Sequence, residues 1–155
     1  MKAEYINPVL SSVINALQTM AQLSPVPGKP SLKQDDISLG VVSGLIALDG
    51  DEASGSLAIS FPEPVILDIY KRIMREDKSS VDDSVVDLVG ELANIVMGGA
   101  KQNFESAGMQ FGLTLPEMIQ GEAHTINHPV DGQVIVLPLT IESGTIFVEF
   151  IFKVH

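Results

Sequence analysis

Cysteine is absent from this chain of 155 residues, which excludes disulfides, thiolate metal sites and a cysteine nucleophile. Basic residues are scarce. Nine lysines and arginines stand against twenty acidic residues, for a formal charge of -11. A surface this acidic repels phosphate backbones and argues against nucleic-acid binding; it favours a partner with a basic docking surface. There is no basic amphipathic segment for an anionic membrane surface, and no apolar run reaches the roughly 18 residues that span a bilayer. The first residues, MKAEYINP, lack the basic start and apolar core of a signal peptide. The expected location is the cytoplasm, without membrane insertion. Catalytic signatures are missing as well: no G-x-S-x-G, no P-loop, no HExxH and no G-x-G-x-x-G. The G-K-P at 28 to 30 lacks the rest of any phosphate loop.

What is present reads as one α+β domain over residues 1–155, with 45% apolar residues to supply its core. Residues 3 to 22 carry a broad helical stripe, with Asn7 before Pro8 reading as its cap. The proline-rich SPVPGKPSL at 24 to 32 reads as an edge segment or loop. Residues 37–48 and 54–61 predict a hairpin, 63–76 a short helix, and 81–107 one long helix. A turn near Pro116, a strand around 121–127 and a second hairpin, 133–141 with 145–154, complete the order. This predicts an antiparallel-rich sheet covered by helices, in two loosely equivalent helix-plus-hairpin halves. An offset of 87 aligns Glu4 with Glu91 and Asn7 with Asn94.

The long helix organises the chain. Val85, Val89, Leu92, Val96 and Ala100 make its apolar stripe, with Ser80 and Asp83 as a capping box and Gly108 as a left-handed stop. On the opposite lane fall Asp87, Glu91, Asn94 and Gly98, continued by Lys101, Gln102 and Glu105. Asn and Gly weaken a helix by up to roughly 1 kcal/mol each relative to Ala. A merely solvated face is one reading of that lane; a functional lane is the other.

Other candidate chemistry is thin. His124 and His128 are four apart, which is metal spacing on a helix, but HTINHP is not helical, and no metal site is expected there. Asp35-Asp36 and Asp82-Asp83 read as a loop and a helix start. Glu91 and Asn94 remain, side by side on one helical face. Neither is a nucleophile. An Asn amide can orient a water molecule and a Glu can pair with a cation on a partner, which suits phosphoryl transfer on a group held by something else.

The run E-L-A-N-I-V-M-G-G-A-K, Glu91 to Lys101, with D-x-x-G before it, resembles the signature helix of the CheC/CheX/FliY phosphatase family of bacterial chemotaxis. The Y-I-N-P opening, the V-P-G-K-P after the first helix and the length resemble its CheX branch. The resemblance implies a phosphatase acting on the aspartyl-phosphate of a CheY-type response regulator. It implies that Asn94 orients the attacking water and that Glu91 pairs with the regulator's lysine. Asp87, Gly98 and Lys101 then belong to the docking surface. It implies no cofactor on this chain, Mg²⁺ residing on the regulator, one working motif per chain and a homodimer made through sheet edges, with the C-terminal strands as candidates. A non-catalytic adaptor for a receiver domain, a flagellar-switch component and a generic α+β domain are the alternatives.

Overall fold

The computed structural model describes the backbone of residues 3–155 and the side chains from Tyr5 onward. Its longest element is a 24-residue helix, Asp83–Ser106 (α3), which buries Val85, Val89, Leu92, Val96, Ala100 and Phe104 as the 3.6-residue period requires. The cap is Asp82 and not Ser80. The Asp82 carboxylate accepts from the Val85 backbone N–H at 3.1 Å, three residues on. Gly108 takes φ +92 just past the end, the left-handed stop expected of it.

Lys78 donates to Asp82 Oδ2 at 2.8 Å. That bond, and then the Val85 amide, hold the Asp82 carboxyl below its ordinary 3.8. A depressed folded-state pKa contributes stability that is present above the unfolded value and is lost as pH falls through the lower folded value. Asp82→Ala is therefore expected to lower the thermal midpoint at pH 7, Asp82→Asn to recover most of it, and the gap between wild type and Asp82→Ala to close on acidification below pH 3.8, all read by thermal melts.

Helix α1, Ala3–Ala21, runs against α3, and helix α2, Glu63–Met74, packs against both and against the strand Gly144–Val154. Asn7 lies inside α1, exposed, and does not cap it, because the helix starts four residues earlier. The side chain of Glu4, its partner in the aligned pair, lies outside the described residues.

The sheet has eight strands: β1 Val26–Pro27, β2 Ser31–Leu32, β3 Val42–Asp49, β4 Ala53–Phe61, β5 Gly112–Leu113, β6 Glu117–Gln120, β7 Ile135–Ile141 and β8 Gly144–Val154. Its order is β1-β7-β8-β4-β3-β5, with β2 also on β7 and β6 also on β3, and every pairing is antiparallel. The strand expected at 121–127 sits earlier, at Glu117–Gln120, because positive φ at Gly121 (118°) and Ala123 (51°) turns the chain away. The C-terminal strands, expected as a free edge, are interior: β8 lies between β7 and β4. The edges are the short segments β1/β2 and β5/β6.

Two halves are written into the register. Val26 pairs with Thr140; moving 86 residues forward from the first and 91 back from the second gives Gly112 pairing with Asp49. The same shifts turn Ser31–Val136 into Glu117–Leu45. Ser12 and Gly99, equivalent at the offset of 87, meet where α1 crosses α3. The Ser12 hydroxyl donates to Val96 O and leaves no room for a Cβ on Gly99.

One face of the sheet carries the main core, with Ile46, Leu57, Ile59, Val148 and Phe150 against the helices. The other face carries the buried hydroxyls of Ser43, Ser56 and Ser60 beside a small apolar cluster of Leu45, Ala58 and Ile126, and is covered by the strap 121–134. Beneath it Glu149 accepts from Lys33 Nζ at 2.7 Å and meets His128 Nε2 at 2.9 Å, while His128 Nδ1 bonds Ser56 at 2.6 Å. His124 bonds Ser43 Oγ at 2.6 Å. The two histidines thus hold the strap to the sheet through different partners.

Candidate functional site

Periodicity put Asp87, Glu91, Asn94 and Gly98 on one lane, and all four are exposed on α3, with Lys101 half-buried at its end. Lys101 Nζ pairs with Glu105 at 3.4 Å, one turn on. Among the described residues, the side chains of Glu91 and Asn94 have no intramolecular hydrogen-bond partner; Asp82, Asn103 and Ser106 make the side-chain bonds of this helix. Both groups are free to meet an incoming molecule.

Their backbone is held firmly. Leu92, Ala93, Val96 and Met97, the residues around Asn94 on the inner face, are buried. A Cβ on Gly44 of β3 would stand 3.0 Å from Ala93 Cβ, and one on Gly90 would stand 3.4 Å from Met118 Sδ of β6. Small residues at Gly44 and Gly90 let the helix sit directly on the sheet at the level of Glu91, so the two side chains project from a rigid platform.

The adjacent glycines have different causes. Gly99 is required by the Ser12 contact. A Cβ on Gly98 would meet nothing within 4 Å, so the chain's own fold does not require glycine there.

The lane is convex. The clefts described on the surface, up to about 450 Å³, are lined by neither Glu91 nor Asn94. A small substrate would be left in water here, whereas a macromolecule could close over the lane and exclude it. No cluster of three or more His, Asp or Glu able to hold a metal occurs among the described residues. None of their helices is long and apolar enough to cross a membrane. Asp35, read as a loop residue, accepts from the Ile37 amide at 3.0 Å in a tight turn.

A family model described as chemotaxis phosphatase CheX matches residues 42–140, a span that includes the whole of α3. A CheC-like superfamily protein from Shewanella sp. PV-4 superposes with a TM-score of 0.92 at 44% identity, over 99% of each chain. The CheY-P phosphatase CheX of Thermotoga maritima is 26% identical over 92% of this chain and 91% of its own. The CheX of Borrelia burgdorferi, solved as a CheX-CheY-BeF3-Mg+2 complex, matches with a TM-score of 0.80 at 25% identity, over 96% of this chain and 97% of that one.

Proposed function

This chain belongs to the chemotaxis phosphatase CheX family, and we propose that it hydrolyses the aspartyl-phosphate of a CheY-type response regulator. The observation that carries the reading is the pair of exposed side chains of Glu91 and Asn94, unpartnered among the described residues, on a rigidly seated, convex helix. Two relatives point the same way: one is a CheY-P phosphatase and another is solved with CheY.

In this reading α3 enters the regulator's phosphorylated site. The Asn94 amide binds a water molecule through its N–H and C=O and aims an oxygen lone pair at phosphorus, opposite the aspartyl oxygen. Glu91 accepts from a lysine of the regulator, which fixes the depth and angle of docking. Asp87 and Lys101 extend the contact along the helix, and Gly98 admits the partner's backbone. The phosphoryl group and its Mg²⁺ come with the regulator. The setting is the cytoplasm, and the chain pairs with a second copy over one of the short sheet edges, which leave backbone groups unpaired.

The test is phosphate release from a CheY-type regulator charged with acetyl phosphate. The protein should speed release well beyond the regulator's own rate; a rate equal to the regulator alone would refute the proposal. Gly98→Ala separates function from fold. It should stabilise the protein by about 0.5–1 kcal/mol in denaturant titrations, because the new methyl meets nothing, and yet slow phosphate release by crowding the partner.

A further inference from the structure

The sequence from Tyr5 to Gly28 holds no charged residue at all, 24 consecutive positions in a chain of formal charge -11. These residues include all of α1 after Glu4, so from Asn7 to Thr19 its outer face presents only neutral amides and hydroxyls: Asn7, Ser11, Asn15, Gln18 and Thr19. A solvated helix face ordinarily carries charge; depletion of charge is a mark of the centre of an interface.

This face adjoins the lane. Between α1 and α3 runs a cleft of about 370 Å³, with Asn15, Thr19 and Met20 on one wall and Ile95 and Gln102 on the other. Ile95 follows Asn94 directly and is 44% exposed, a large apolar side chain pointing outward from a helix whose other large apolar residues face the core. Nothing in the core requires it there.

Size makes the extension necessary. A specific protein–protein contact draws on about 20–30 residues a side. Asp87, Glu91, Asn94, Gly98 and Lys101 cannot supply that alone, so a partner seated on Asn94 also covers neighbouring surface. Electrostatics selects which surface. A phosphorylated aspartyl site is anionic, and a carboxylate that faces it without a cation to pair with, such as the lysine that answers Glu91, repels it. The α1 face is the neighbour that offers no such repulsion.

Resting on the reading of α3 as a phosphatase helix, we infer that the docking footprint of the phosphorylated receiver domain crosses the α1–α3 cleft onto the uncharged face that α1 presents from Asn7 to Thr19. An apolar side chain of the receiver sits in the cleft against Ile95 and Met20. A second copy of this chain on the same face would cover Asn94, so the receiver is the occupant.

The test uses Asn15→Glu and Thr19→Glu, which put a negative charge on each side of the footprint, and Ile95→Ala, with Thr140→Glu, an exposed position on β7, as a control. Binding is read with a receiver charged with beryllofluoride and Mg²⁺, turnover with the acetyl-phosphate-charged receiver, folding by thermal melts, and mass by sedimentation. Each Glu variant should raise Kd and KM by about tenfold or more, with kcat within twofold of wild type. Ile95→Ala should raise both several-fold, and Thr140→Glu should change neither. Unchanged Kd in both Glu variants overturns the footprint. A fall in mass with unchanged Kd assigns the face to a second copy. Wild-type binding without turnover, with weakened binding in the Glu variants, refutes the phosphatase reading and upholds the footprint; no binding by the wild type refutes both.

Discussion

Asn94→Ala is expected to cut regulator dephosphorylation by about 10²- to 10³-fold, equivalent to roughly 3–4 kcal/mol of barrier, the range for removing one preorganised donor. The same substitution should leave docking and folding intact. Asn94 is exposed and makes no intramolecular side-chain bond among the described residues, and alanine is the better helix former, so the melting temperature should stay or rise. A loss of activity through misfolding would show the opposite sign in the melt. Asn94→Gln keeps the amide but carries it one methylene further out. It should remain strongly impaired, because displacement of a positioned group by about 1 Å can cost 10²-fold. Single-turnover phosphate release measures the chemistry. An Asn94→Ala rate equal to wild type would remove Asn94 from the mechanism. Glu91 predicts a different pattern. Glu91→Ala should raise KM more than it lowers kcat, and Glu91→Lys should be worse, because it sets a cation against the regulator's lysine.

Glu149→Ala should produce the largest loss of stability, about 3–5 kcal/mol, the range for removing one partner of a buried ion pair. The side chains of Lys33 and Glu149 are only 6% and 2% exposed. Glu149 joins β8 to Lys33, which follows β2, and to His128 in the strap. Truncation would leave an uncompensated ammonium under the strap and orphan a ring nitrogen of His128. At about 2–4 °C per kcal/mol for a domain of this size, the melting temperature should fall by roughly 6–20 °C. Lys33→Met combined with Glu149→Gln should recover much of that loss, since it leaves no uncompensated buried charge and keeps an amide within reach of His128. A double-mutant cycle in denaturant reads the coupling, and additive effects of the two single changes would show that the pair is not coupled. This network lies on the sheet face opposite the helices, so regulator dephosphorylation per folded molecule should be unchanged in the double variant.

The α3 lane could be read from one dimension because both of its faces follow from a single period. Apolar residues every three or four positions define an inner face, and Glu91 and Asn94 are then outward by geometry. The cap was misplaced because Ser80 and Asp82 both suit the role by residue type, and only the chain's path into the helix brings the Asp82 carboxylate to the Val85 amide. Asn7 looked like a cap because Pro8 follows it; α1 accommodates that proline inside the helix, and the Pro8 carbonyl accepts from Asn103 of α3 at 3.1 Å. In the sequence the likeness of the two halves is weak, a repeated helix-plus-hairpin order with two matched residue pairs, Glu4 with Glu91 and Asn7 with Asn94. The paired registers of the sheet carry it far more strongly, since antiparallel pairing preserves a geometry that the side chains have lost.

Local sequence by itself determined the helices, the two hairpins, the acidic surface and the outward placement of Glu91 and Asn94 on one lane, because period, propensity and residue chemistry act over a few neighbouring positions. The tertiary structure alone decided that β8 is central, that Glu149 is buried in an ionic network, that Gly99 is needed for packing while Gly98 is not, and that the uncharged stretch of α1 beyond Glu4 lies beside the lane. Each of these depends on which distant segments meet, and the burial that results sets the energy of a charge, a hydroxyl or a missing side chain.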